Sequence, residues 1–450
     1  MNKALLSLIL FLFVIPVTTN AINDDKKTTE EIQHQIQLAG IGEEILVPPG
    51  IYYGNLKIKK KVSLVADGKV TIVGNRNGDV VTLLADGISL KGFIVKNSGR
   101  MLTSDDAGIK VRSNMNHIVK NKIEDSLHGI YLEKANQNTV SENTITGIKK
   151  LRTEDRGNGV HMFYSNGNRL IANKISQTRD GMYFSFSGKN LIQRNNVFNV
   201  RYGLHYMYSN DNSFYNNRFY NNIGGAAIMY SNRIKLENNQ FYNNRGMLSF
   251  GLLLQSANDN IIKNNKMTMN QKGLFADQSN RNLFSNNEIA HNKVGIEIWT
   301  SSIQNRFTRN QFNDNVIQYI SNGQIDRNNW SDHGIGNSWS GNIFFDLDNN
   351  GIGDKPYTYS SSFGEVLAQN QLGYLLLDSP SLTIFDTVKQ TISNDYTQIN
   401  DPHPIFLQSK KENGTVFNIL FYFAFLIFLL IRRRTFYAIF DKRLERNVSK

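Results

Sequence analysis

Histidine, tyrosine and methionine recur at fixed offsets from a ladder of glycines, and these are the side chains that could do chemistry. The second residue after each glycine reads Tyr131, His161, Tyr183, His205, Ala227, Leu253 and Phe275. The fourth reads Glu133, Phe163, Ser185, Met207, Met229, Gln255, Asp277 and Trp299. Neutral imidazole and thioether sulfur suit Cu(I), and a chain with no cysteine must build a soft metal site from such ligands. His161, Tyr183, His205, Met207 and Met229 therefore form a candidate copper or partner face. Two other readings stand beside it: a loop covers the stripe, or a partner protein docks there. No His-x-His or Met-x-x-Met cluster singles out copper.

A second constellation is Asp346-Leu-Asp348-Asn-Asn350-Gly351-Ile-Gly353-Asp354. Side-chain oxygens at alternate positions around a turn glycine suit Ca²⁺, so Asp346, Asp348, Asn350 and Asp354 are candidate ligands. Tyr357 stands where an EF-hand has its bidentate glutamate, so any ion here braces structure; a plain Asn-Gly turn is the alternative. No catalytic set can be placed. Asp155, Arg156, Arg179 and Asp180 fall near turns, and Asp180, just before a glycine, reads as a turn residue. The chain is accordingly read as a non-enzyme, with a polysaccharide lyase or epimerase as runner-up.

The elements that must position these residues follow from the spacing. Gly108, Gly129, Gly159, Gly181, Gly203, Gly225, Gly251, Gly273 and Gly295 are separated by 21, 30, 22, 22, 22, 26, 22 and 22 residues. Asn121, Asn143, Asn173, Asn196, Asn217, Asn239, Asn265, Asn287 and Asn310, each two residues before a large apolar one, stretch at the same two places. Two markers in register mean an internal repeat with two insertions. Period-2 alternation after each glycine means short strands. A coil of about 22 residues built from such strands predicts a right-handed parallel β-helix, with like residues stacked about 4.8 Å apart. The first and third residues after each glycine (Met182, Phe184, Leu204, Tyr206, Leu252 and Leu254 among them) should fill the bore. Thr28–Leu38 should form a helix covering the first coil.

The ends carry targeting signals. Residues 1–21 read as a signal peptide, with Lys3 before an apolar run and a small-residue site at Ala21. Residues 414–431 hold no charge and span roughly 27 Å as a helix, enough to cross a bilayer. Residues 432–450 form a basic tail for the cytoplasmic side. Between them, 22–345 is the β-helix with its cap and 346–404 a C-terminal capping segment. This places the bulk of the chain outside the cytoplasm, in the periplasm or on the outer face of the membrane. Net charge is +12, of which the tail supplies +5, and the remainder gives no case for nucleic acid.

The run Arg179-Asp-Gly-Met-Tyr-Phe-Ser-Phe-Ser, Arg201-Tyr-Gly-Leu-His-Tyr-Met-Tyr-Ser-Asn-Asp, Gly225-Ala-Ala-Ile-Met-Tyr-Ser and Phe250-Gly-Leu-Leu-Leu resembles successive coils of the NosD family. So does the stretch Asp346 to Tyr357, and the resemblance extends over roughly Glu43 to Thr387. It implies an extracytoplasmic β-helix accessory protein, often described as copper-binding, working beside an ABC transporter ATPase and permease. The implied task is maturation of the copper–sulfide centre of nitrous oxide reductase, with that enzyme or a copper chaperone as partner. The apparent membrane anchor departs from the largely soluble family pattern.

Overall fold

The computed structural model describes residues 27–321, 326–360, 367, 372–373, 377, 379 and 399–406. The expected leader, anchor and basic tail lie outside the described residues. Among the described residues no helix is long and apolar enough to cross a membrane.

The backbone is a right-handed parallel β-solenoid of about 13 turns with roughly 22 residues per coil. It divides into two compact units, one ending at Asn222 and one starting at Ile223. In the first, each coil contributes three short strands, one to each of three parallel sheets. A representative coil holds Arg169–Ile171, Lys174–Ser176 and Asp180–Ser185. Its strands pair with the next coil at Arg169↔Leu191, Lys174↔Asn196 and Asp180↔Tyr202, a constant offset that reproduces the spacing of the sequence repeat. The second unit repeats the plan, with Ile261↔Leu283, Lys266↔Glu288 and Lys272↔Val294.

Alternation sets inside from outside as expected. Met182, Phe184, Leu204 and Tyr206 in the first unit, and Leu252 and Leu254 in the second, are fully buried. The asparagine line is a buried hydrogen-bond ladder. In the first unit Asn143 donates its backbone N–H and its Nδ2–H to Asn173 Oδ1, each at 3.0 Å, and Asn173 repeats this toward Asn195. In the second unit the ladder runs through Asn287 and Asn310 to Asn337, whose N–H groups donate to the buried carboxylate of Asp401. The coil expected to place Asn196 in the ladder differs by one residue: Asn195 occupies the ladder and Asn196 opens a strand.

The glycine ladder exists because backbones approach closely. A Cβ on Gly181 would lie 2.1 Å from Val197 Cγ1 and 2.7 Å from the Gly203 carbonyl oxygen. Both stretched steps are loops, one containing the 3₁₀ turn Thr153–Asp155 and one between Gln240–Tyr242 and Phe250–Gln255. At the N-terminus Thr29–Leu38 is helical, opened by a capping box of Thr28 and Glu31 and packed on strands Leu56–Ile58 and Glu44–Val47. In the second unit Leu367 and Leu377 pack with Val294, Ile317 and Ile320, so an outward stretch of the third sheet is covered there.

Candidate functional site

The site lies on the outer face of the third sheet of the first unit, on strands His128–Glu133, Val160–Phe163, Asp180–Ser185 and Tyr202–Met207. Their register aligns Tyr131, His161, Tyr183 and His205 in one row, and Glu133, Phe163, Ser185 and Met207 in another. The rings of the first row touch in sequence. Tyr131 and His161 stack at 4.4 Å, His161 meets Tyr183 edge-on at 4.7 Å, and Tyr183 meets His205 edge-on at 5.0 Å. His161, Tyr183, His205 and Met207 are half-buried and outside the bore. Tyr183 Oη lies 4.0 Å from Met207 Sδ. Met229 belongs to the second unit, half-buried and paired with Gln255.

A third row was missed by alternation. Pairing keeps one offset across each glycine, His128↔Ala107 and Ile130↔Ile109, or Asp180↔Tyr202 and Met182↔Leu204, and the glycine N–H still bonds to the next coil, as Gly129 does to the Asn158 carbonyl. The residue before the glycine nevertheless faces the rings: His128 lies 5.8 Å from the Tyr131 ring and 5.0 Å from the His161 ring, and the Asp180 carboxylate meets His205. His128, Asn158 and Asp180 thereby join the ring row.

Around His128 the donors are fixed by its neighbours. The Asn158 backbone N–H donates to His128 Nδ1 at 3.0 Å, so the ring proton sits on Nε2, 3.4 Å from Asp105 Oδ1. That His128 contact holds the Asp105 carboxyl below its usual range. Burial pushes the His161 imidazole down to about 3, so it is neutral at physiological pH. The ligand atoms of Asp105, His128 and His161 lie within 4.8 Å of one another, a spacing that fits a metal ion. The tautomer argues otherwise: His128 presents an N–H, and its lone pair is spent on Asn158. The trio becomes a three-ligand site only if that backbone bond breaks.

Asp180 is the second focus, and the structure corrects its reading as a turn residue. It opens the strand Asp180–Ser185 and its side chain is 0% exposed. Arg201 grips it with both Nε and Nη2, at 2.8 and 2.7 Å, and Tyr202 packs against the guanidinium at 4.7 Å. His205 Nδ1 lies 3.0 Å from Asp180 Oδ2. Burial pulls the Asp180 carboxyl up, but the bonds from His205 and Arg201 outweigh it and hold the group below its ordinary value. Two lone pairs would repel at 3.0 Å, so His205 carries its proton on Nδ1 and donates it to Asp180. In the neutral ring Nε2 is then the lone-pair nitrogen, and 16% of the His205 side chain remains exposed.

The acidic loop of the second unit is a formed turn. Asp346 Oδ1 accepts from the Asn350 N–H at 3.0 Å and its Oδ2 from the Gly351 N–H at 2.9 Å. Asp354 Oδ2 accepts from the Leu347 N–H, and Asp348 from Asn350.

Residues 145–344 match the family model described as periplasmic copper-binding protein (NosD). A probable ABC transporter binding protein NosD of Pseudomonas aeruginosa is 31% identical over 134 residues, 29% of this chain and 31% of the relative. Its namesake from Stutzerimonas stutzeri is 26% identical over 137 residues, 30% of this chain and 31% of the relative. The match therefore spans about a third of the length of these curated relatives, which are named as binding proteins. Among solved structures, the Dettilon tailspike protein aligns with a TM-score of 0.53 at 15% identity, covering 67% of this chain and 66% of that one, a likeness of fold alone. Together with the ladder of coils that carries the motif run, these matches make residues 145–344 of this chain similar to the NosD family.

Proposed function

We propose that this chain is an extracytoplasmic accessory protein for maturation of the copper–sulfide centre of nitrous oxide reductase. It works beside an ABC-type ATPase and permease, and it offers its outer His/Tyr/Met face to copper in transit or to the client enzyme or a copper chaperone. The observation that carries this reading is the unbroken row Tyr131–His161–Tyr183–His205, flanked by Met207. It sets imidazoles and a thioether on successive coils, a donor set that suits Cu(I) better than hard cations. Deleting the gene should leave the host's nitrous oxide reductase produced but poor in copper and inactive. Restoring the gene with His161→Ala, His205→Ala and Met207→Ala together should not rescue it. Full copper loading in the deletion strain would end the proposal.

A second reading, a carbohydrate-active β-helix, draws on the convergence of Asp180, Arg179 and Arg201 beside Tyr183 and His205. Carboxylate, cation and imidazole on one outward face are what a lyase or epimerase of acidic polysaccharides needs. Turnover of alginate or pectin oligomers by the full chain would favour it over copper handling. For the acidic loop, Ca²⁺ held by Asp346, Asp348, Asn350 and Asp354 would serve as a brace.

A further inference from the structure

The geometry points to one soft, monovalent metal position on this face, made by His205 Nε2 and Met207 Sδ, with Asp180 as the positioning residue behind it. It rests on the copper-handling reading above and deepens it, because that reading names a face and this one names the atoms. His205 and Met207 are two apart on the strand Tyr202–Met207, so both side chains stand on the same side, half-buried. The Asp180 carboxylate fixes the proton of His205 on Nδ1 at 3.0 Å and leaves Nε2 to bind. A carboxylate behind a histidine in this way is the usual support of a metal-ligating imidazole.

Arg201 decides which metal. Its fork satisfies both Asp180 oxygens and cancels their charge, and its Nη2 lies 3.4 Å from His205 Nδ1. The site therefore offers an incoming cation no net negative charge, and repulsion from the guanidinium grows in proportion to the ion's charge. With one neutral nitrogen and one thioether, Cu(I) or Ag(I) is favoured over Zn²⁺ or Cu²⁺. The same cancellation works against a general-base role, because a neutralised carboxylate adds little basicity to His205. A thioether has no acid–base use at all.

The test is titration of the full-length chain with Cu(I) against a chromophoric Cu(I) chelator, repeated with Ag(I) and Zn²⁺. His205→Ala and Met207→Leu should each abolish the tightest equivalent of Cu(I) and of Ag(I). Asp180→Asn should weaken it about 10- to 100-fold, the usual effect of losing such a support. In ¹⁵N NMR the wild-type His205 should be the Nδ1–H tautomer, and the Asp180→Asn chain should lose that preference. Because Asp180 is buried, its variant could misfold, so the test is decided by the half-buried His205 and Met207 variants, checked for unchanged circular dichroism. Wild-type Cu(I) affinity in both of these places the metal elsewhere and overturns this inference while the copper reading stands. Equal affinity for Zn²⁺ overturns the monovalent assignment. No Cu(I) binding by any form of the chain overturns both.

Discussion

Replacing Asn287 by alanine probes the interaction that holds the coils in register. Asn287 is buried, and its Oδ1 accepts from the Asn265 N–H at 2.9 Å and from Asn265 Nδ2 at 3.1 Å. Its own Nδ2 donates to the Ile262 carbonyl at 2.8 Å and to Asn310 Oδ1 at 2.9 Å. Alanine removes all of these while the Asn287 backbone N–H keeps its bond to Asn310. Two Asn265 donors lose their acceptor and the Ile262 carbonyl loses its donor, in a place water does not reach. At about 1–3 kcal/mol for each buried group left unsatisfied, with some relaxation, the cost is about 3–6 kcal/mol. That is a large part of the ~5–15 kcal/mol that holds a typical domain. The neighbouring residue is the control. Asn286 is exposed with φ at 54°, a conformation glycine adopts readily, so Asn286→Gly should shift stability by no more than about 0.5 kcal/mol. Urea unfolding of the two variants compares them directly. Hydrogen exchange should show the loss concentrated in the coils on either side of Asn287, because each coil touches only its neighbours. An Asn287→Ala penalty below about 1 kcal/mol would refute the claim that the ladder is a principal source of stability.

Three further outcomes can be measured. Gly181→Ala forces a methyl group against Val197 and the Gly203 carbonyl, so it should cost about 1–3 kcal/mol or more and lower Tm; an unchanged Tm would mean that the coils can part without penalty. The Asp180 carboxyl has a folded pKa below its unfolded value, so its ionised form stabilises the fold above the unfolded pKa. The stability advantage of wild type over Asp180→Asn should therefore hold at neutral pH and shrink as pH falls through the depressed folded pKa, and an advantage that grows on acidification would contradict the geometry. About 1 mM Ca²⁺, the affinity range of extracellular modules, should raise Tm if the Asp346–Asp354 loop binds it. A Tm indifferent to both calcium and chelator reduces the loop to the hydrogen-bonded turn already formed by Asp346 and Gly351.

Repetition is what made the sequence readable. Glycine and asparagine recur in register because every coil meets the same neighbours, so the period, the strands, the bore-lining Met182 and Phe184 and the outward Tyr183 and His205 follow from spacing alone. The asparagines were legible as a ladder for the same reason, since like residues stack. What alternation could not reveal is where it breaks. His128, Asn158 and Asp180, each just before a glycine, face the rings where strict alternation would turn them the other way, and the contacts that reveal this are made between coils. The protonation of His205, the neutralising grip of Arg201 and the approach of Asp105 to His128 are likewise contacts between coils. So is the end of the ladder at Asp401, 64 residues beyond Asn337. Local pattern fixes which way a side chain points along a regular strand; which partner it then meets depends on chain segments brought together only when the spiral closes on itself.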